Sequence, residues 1–177
     1  MSALQLSSPP DFRYSGHETF PCRYTWLPKA VRNLNEDPEL FANEDTAMVR
    51  LGVGKNMVRA IRFWADAAEV TDVSPDRQLR VSSFGKAVFG RGGYDQFLED
   101  IRTLWLIHWK LSSSVSEPLF AWHYLLNHWH RPDFTTSEAL AALANEAQRM
   151  SKKLSAAPPE NGRKFWLNFI LKRRSAR

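Results

Sequence analysis

The stretch that decides the predicted fold is LGVGKNMVRAIRFW, residues 51–64. It predicts the end of one helix, a tight turn at Gly52 and Gly54, and a second helix from Lys55 to Ala68, because glycine adopts positive φ at little steric cost. The first helix is expected to begin after Asn43, since an asparagine side chain can cap the free backbone N–H groups of a helix start. The sequence therefore predicts two helices joined by a short turn.

The second helix of this pair has two chemically different faces. Its apolar side chains recur at spacings of three and four and predict a face packed on the core; they are Val58, Ile61, Ala65 and Ala68. Lys55, Arg59 and Arg62 recur on the opposite side, and Asn56 stands at the helix start. Such a helix suits the major groove of DNA, where arginine pairs with guanine, asparagine pairs with adenine and lysine neutralises phosphate. The alternative is an ordinary solvated face on a helix used for protein packing.

A small β-hairpin is expected after this helix. Residues 71–73 and 78–81 alternate as half-buried strands do, and a turn separates them. Arg77 and Arg80 are expected near the tip, where they would touch the minor groove or the DNA backbone. With a short helix over residues 83–89, the expected class is mainly α with a small β-wing (α+β). The specific prediction is a winged helix-turn-helix packed on an aromatic helical unit.

The chain divides into four predicted segments. They are a flexible arm (1–11), a winged-helix unit (12–92), a helical unit (93–150) and a basic-aromatic tail (151–177). The helical unit opens with a helix over residues 96–111 that is apolar almost all round, and such a helix is expected to be buried on most sides. Further along, Thr135 and Glu138 form a capping box at the start of another helix.

Composition limits the class of protein. The chain has 177 residues and 44% hydrophobic residues, which is enough for a substantial core. Cys22 is the single cysteine, so an intramolecular disulfide is excluded and a reducing compartment is expected. No signal peptide and no run of about 18 apolar residues is present, so a cytoplasmic location without a membrane span is expected.

Positive charge is concentrated in two parts of the chain. The formal net charge is +5, yet residues 1–150 hold 16 basic and 18 acidic side chains, whereas residues 151–177 hold eight basic side chains and one acidic side chain. Residues 50–91 hold eight basic and four acidic side chains. A cationic field on the two-helix segment and the tail indicates a nucleic-acid partner.

Candidate catalytic groups are few. His17 and Glu18 are the best polar pair and would serve as an acid/base or metal pair in an ordered loop. The alternative is that His17 is buried among aromatic side chains and satisfies backbone groups. The remaining histidines (108, 123, 128 and 130) match no zinc spacing, so no metal site is predicted.

Three sequence elements together resemble one known family. They are SGHETF at residues 15–20, LGVGKNMV at 51–58 and TLWLIHW at 103–109. The stretch from about residue 12 to about residue 150 resembles the bacterial family catalogued as domain of unknown function 4007. The resemblance implies a DNA partner and a role in DNA phosphorothioation, anti-phage defence or restriction-modification. Residues 151–177 depart from the family's continuation and the chain is shorter than family members usually are, so a truncated member is expected.

The leading functional prediction is duplex DNA binding through the helix of residues 55–68 and the wing of residues 70–81, with other proteins of a modification or defence operon as further partners. The first alternative, implied by a relative that nicks DNA, is a nickase using His17 and Glu18 with Mg²⁺ or Mn²⁺. No cofactor is expected otherwise. The second alternative is a protein-interaction module without nucleic-acid contact. The sequence does not by itself identify an enzyme.

Overall fold

The computed structural model of the chain describes residues 12–115 and 117–154. The part described is mainly helical with one small antiparallel sheet, which confirms the α+β class. The predicted arm and the tail beyond residue 154 lie outside the described residues. The elements in chain order are α1 (Trp26–Glu36), α2 (Glu44–Leu51), α3 (Lys55–Ala67), β1 (Thr71–Val73), β2 (Leu79–Val81), α4 (Ser83–Phe89), α5 (Ile101–Ser113), α6 (Phe120–Asn127) and α7 (Thr136–Leu154).

The connection between α2 and α3 begins and ends as local chemistry requires. The Asn43 side-chain oxygen accepts the backbone N–H groups of Asp45 and Thr46 at 2.9 and 3.1 Å, so the predicted cap is confirmed. Gly52 ends α2 in the left-handed conformation at φ +62°. Gly54 adopts an extended conformation with φ −72°, so the positive φ expected there is wrong. One glycine is enough to reverse the chain.

The core lies where the apolar face of α3 meets α1, α2 and the hairpin. Val58, Ile61 and Ala65 are buried, as predicted from their spacing. Trp64 is 1% exposed, and its indole N–H donates to the backbone oxygen of Phe20 at 2.9 Å. The apolar side of α3 is therefore fully covered, which directs its opposite side to water.

The hairpin is short and closely attached to α4. Thr71 pairs with Val81, and Val73 pairs with Leu79. A Cβ added to Gly85 in α4 would lie 2.2 Å from the backbone oxygen of Val70, so only glycine allows α4 to pack this close to the base of the hairpin. This packing fixes the hairpin beside α3.

Helix α5 starts later and is less buried than the sequence indicated. The carboxylate of Asp95 accepts the backbone N–H groups of Glu99 and Asp100 at 2.8 and 2.9 Å and holds this segment in a turn. Asp100 then caps the helix through the N–H of Arg102. Only Thr103, Ile107 and Leu111 of α5 are buried. The prediction that this helix is covered on most sides is wrong, because α6 and the main core cover one side and no described element covers the other. The large apolar side chains exposed along this face are Ile101, Leu104, Trp105, Leu106 and Trp109.

Helices α6 and α7 form a smaller second cluster with the start of the described chain. Phe120 and Leu143 are its buried centre, and the ring of Phe12 packs edge-on against Phe120 at 5.6 Å. The capping box of α7 is confirmed: Glu138 accepts the backbone N–H of Thr135 at 2.7 Å and donates its own N–H to the Thr135 hydroxyl at 3.2 Å. None of the helices in the described ranges combines the length and the apolar character needed to cross a bilayer.

Arg13 joins the two clusters. Its backbone exchanges hydrogen bonds with Pro118 and Phe120 at 3.0 and 3.1 Å. Its guanidinium donates to Asp66 of α3 and to Glu117, each at 2.6 Å. The segment before α1 therefore fixes α6 to the exposed side of α3.

Candidate nucleic-acid interface

The outward face of α3 carries the polar residues that the sequence predicted for it. Lys55, Asn56, Arg59 and Arg62 are all exposed. The side chain of Arg59 is 44% exposed, so its guanidinium is not buried beneath another part of the fold. The predicted cationic row therefore lies in water and is open to a large ligand.

Acidic side chains compensate two of the three cations of this row. Glu44, in the first turn of α2, accepts Nε of Arg59 at 2.6 Å and Nζ of Lys55 at 2.8 Å. These two hydrogen bonds lower the pKa of Glu44 to about 2, so it is fully ionised at neutral pH. A second carboxylate, that of Glu18, lies 3.9 Å from the Arg59 guanidinium. A phosphate that approaches Arg59 must compete with these carboxylates.

Two arginines differ from Arg59 in this respect. Within the ranges the structure describes, neither Arg62 nor Arg77 forms an ion pair, and both are exposed. Arg77 lies in the hairpin turn with φ +66°. Arg80 lies in the middle of β2, where its Nε donates to Asp72 at 2.6 Å, so it is less available than its predicted position near the tip implied. Among the five predicted cationic contacts, Arg62 and Arg77 are thus the most available to an anion.

A surface cleft of about 280 Å³ lies between α3 and the hairpin. We refer to it as the α3–hairpin cleft. Its lining consists of one face of α3, one residue from each strand, and one residue of the loop before α1; these are Arg59, Arg62, Phe63, Asp66, Val73, Leu79 and Gly16. The cationic row and the hairpin therefore enclose a common space rather than two separate surfaces.

His17 supports α3 from the loop before α1. It is 5% exposed, and its ring stacks on Trp64 with centroids 5.4 Å apart and meets the ring of Phe63 at 5.6 Å. Burial lowers the pKa of His17 to about 4, so the imidazole is neutral at pH 7. Gly16 beside it has φ +127°, and a Cβ there would lie 2.6 Å from the ring of Phe63. The structure places His17 in the buried position that was the alternative to catalysis.

The other candidate groups are dispersed. In the part of the chain that is described, no three His, Cys, Asp or Glu side chains converge as metal ligands would. Only two of the histidines meet: Nε2 of His123 and Nε2 of His128 are 3.0 Å apart. Burial raises the pKa of the Cys22 thiol to about 12, which makes it a poor nucleophile at neutral pH.

Sequence reasoning missed two members of the site. Glu44 was not among the predicted contacts, because its contact with Arg59 crosses the turn between two helices. Asp66 was not among them either, because its contact with Arg13 and its place in the cleft come from packing. A pattern of helical spacing records neither contact, because both join different elements.

Known proteins resemble this chain in sequence and in structure. The family described as protein of unknown function (DUF4007) matches residues 14–159. Two solved structures are similar, described as "Magnesium ion-bound SspB crystal structure" and "SspB crystal structure", each with 29% identity and a TM-score of 0.73. They match 92% of this chain, which covers 49% and 50% of their own chains, so the chain spans about half the length of these relatives. No curated protein is similar enough in sequence to be matched.

Proposed function

This chain belongs to the DUF4007 family of proteins of unknown function, and from that premise we propose that it binds duplex DNA in a DNA phosphorothioation or anti-phage defence system. The proposed arrangement is a winged helix in which α3 enters the major groove and the β1–β2 hairpin is the wing. The observation that carries the proposal is the division of α3 into a fully buried apolar face and an exposed cationic face beside the hairpin.

The contacts of each polar residue on α3 and the hairpin indicate how it would bind DNA. Arg62 and Arg77 contact phosphates, because no internal acid holds them in the described residues. Lys55 and Arg59 bind DNA only after their ion pairs with Glu44 are broken. Their contribution to DNA affinity is therefore smaller than their charge implies. Asn56 stands at the start of α3, where recognition helices touch base edges.

Arg80 contributes from β2, where its ion pair with Asp72 is 56% exposed on the arginine side. A DNA phosphate near the hairpin would share this guanidinium with Asp72 rather than replace it. We therefore rank Arg80 below Arg77 as a contact of the wing.

The biological context rests on likeness to relatives. Membership of the family and similarity to SspB support a phosphorothioation or defence role, as the three sequence elements imply. Because the chain spans about half of SspB, activities of the whole SspB protein are not transferred to it. Its proposed part in such a system is recognition of DNA.

The test is a pair of double variants with equal loss of charge. Arg59→Ala with Arg62→Ala should weaken binding of a labelled duplex about tenfold or more at moderate salt, and should reduce the slope of log affinity against log salt by about one to two. Arg102→Ala with Arg149→Ala, in α5 and α7, is the control and should leave affinity within about twofold. Fluorescence anisotropy across a salt series measures both.

Equal losses in the two double variants would mean that affinity follows net charge alone, and the recognition-helix assignment would be wrong. Unchanged binding in the Arg59 and Arg62 variant would have the same meaning. The same titration with phosphorothioate and unmodified duplexes reports whether the modification is recognised.

A second candidate function is docking of a partner protein, and the exposed face of α5 favours it. Trp105 is 67% exposed and Trp109 is 59% exposed. A patch of large aromatic side chains is typical of protein interfaces. If a protein of the same operon binds there, Trp105→Gln with Trp109→Gln should abolish its nuclease-resistant co-purification and leave DNA affinity unchanged.

The nickase alternative receives little support from the described residues. His17 is buried and neutral, and no cluster of acidic groups accompanies Glu18. One relative is described as bound to a magnesium ion, which is a property of that protein. A supercoiled-plasmid assay with Mg²⁺ or Mn²⁺, comparing the parent with His17→Ala, tests the alternative.

A further inference from the structure

The α3–hairpin cleft has walls of two kinds. Phe63, Val73 and Leu79 supply an apolar wall, although Val73 is 60% exposed. Arg59, Arg62 and Asp66, which share helix α3 with Phe63, supply a polar wall. The phosphate backbone of a continuous duplex would satisfy only the polar wall and would leave the apolar wall in water.

The size of the cleft suits one flat ring system. Its volume of about 280 Å³ lies just below the ~300–1,000 Å³ typical of pockets for drug-sized molecules. A single nucleobase fits this space with room for water. The ligand class indicated by size is therefore one unstacked base.

The polar groups are placed for such a ligand. Oδ2 of Asp66 accepts the Arg13 guanidinium at 2.6 Å, while Oδ1 has no hydrogen bond among the described residues. A carboxylate oxygen accepts the exocyclic amino group of cytosine. Arg62 lines the same cleft without an ion pair in the described part of the chain and would hold the adjacent phosphate.

We infer that the α3–hairpin cleft receives one unstacked nucleobase, with the base against Phe63 and Val73, its amino edge on Asp66 and its phosphate on Arg62. This inference rests on the proposed DNA-binding function and specifies the substrate: duplex DNA with an unpaired nucleotide. An unpaired base costs least to remove from the stack, and base stacking in a protein is worth a substantial factor in affinity. The protein should therefore distinguish a bulged duplex from a matched one.

The experiment compares two labelled duplexes that differ by a single bulged cytosine. The parent protein should bind the bulged duplex about tenfold more tightly than the matched duplex, measured by anisotropy at fixed salt. Val73→Trp fills the cleft from strand β1, where an aromatic residue is compatible with the strand conformation. This variant should lose the preference for the bulge, so the ratio of its affinities for the two duplexes should fall to about one.

The matched control is Val49→Trp, at a position on α2 that is 83% exposed and outside the cleft. It should keep the preference of the parent. Equal binding of both duplexes by the parent would overturn the inference and leave the proposed function intact. A preference for the bulged duplex that survives in Val73→Trp would also overturn it. Failure of the parent to bind either duplex would remove the proposed function as well.

Discussion

Helices α3 and α5 are both 13 residues long and both rich in apolar and aromatic residues, yet they meet water in opposite ways. The apolar face of α3 is covered by neighbouring elements, and Trp64 is 1% exposed. Helix α5 covers only one side, and Trp105 is 67% exposed. The difference lies in packing: α1, α2 and the hairpin surround the apolar face of α3, whereas α6 and the edge of the main core cover only one side of α5.

This comparison separates two uses of a surface. On α3 the apolar residues hold the helix in place and the polar residues are free to meet a ligand. On α5 the apolar residues themselves form the surface. The first arrangement suits a charged ligand such as DNA and the second suits another apolar surface.

The largest expected difference between the two helices is the loss of stability when one tryptophan of each is truncated. Trp64→Ala should reduce the free energy of unfolding by about 3–5 kcal/mol, because it leaves a cavity in the core and removes the hydrogen bond to Phe20. Trp105→Ala should change it by less than about 1 kcal/mol. Urea unfolding at pH 7 followed by circular dichroism measures both, and similar losses would show that the α5 face is covered in solution.

The next effect concerns the histidine that packs on α3. Because the pKa of His17 is about 4 in the folded protein and 6.5 as an ordinary histidine, the unfolded chain binds a proton more readily. The contribution of neutral, buried His17 to the free energy of unfolding is therefore complete above pH 6.5. It is lost as pH falls from 6.5 towards 4, and the loss amounts to about 3 kcal/mol over that window.

Urea unfolding of the parent and of His17→Phe at a series of pH values measures this dependence. The variant should lose the part of the slope between pH 6.5 and 4 that His17 contributes. An unchanged slope would mean that the imidazole takes up its proton in the folded state and is not held neutral by its burial.

The smallest expected effect is on duplex affinity and concerns the charge balance of the α3 surface. Glu44→Gln releases Arg59 and Lys55, so duplex affinity should rise about two- to fivefold at low salt. Glu146→Gln is the matched control, since it releases Arg149 in α7 by the same change of charge. Anisotropy titrations of both variants decide the question, and an equal gain in both would show that Glu44 acts only through net charge.

Much of the structure within residues 12–92 could be predicted because the sequence signals there are local. The cap at Asn43, the turn at Gly52 and the buried stripe of α3 each depend on residues within a few positions of one another. The same holds for the capping box of Thr135 and Glu138. The exposed candidate residues of α3 followed from the same spacing, although their role in DNA binding stays a prediction.

The predictions for α5 that were wrong concern contacts that helical spacing does not record. The extensive burial expected for α5 assumed a partner on each side, and a helix pattern records only that a residue is apolar, not what covers it. Asp95 shortened the start of α5 through two backbone hydrogen bonds that no periodicity reveals.

By itself, the sequence determined the identity and the two faces of α3, the position of the hairpin and the family of the protein, because helix period, capping and motif spacing are properties of neighbouring residues. Only the tertiary structure decided that Glu44 holds Arg59, that His17 is buried against Trp64, and that α3 and the hairpin enclose a cleft. These features arise where separate elements pack together, and packing depends on the shape and charge of side chains that are far apart along the chain.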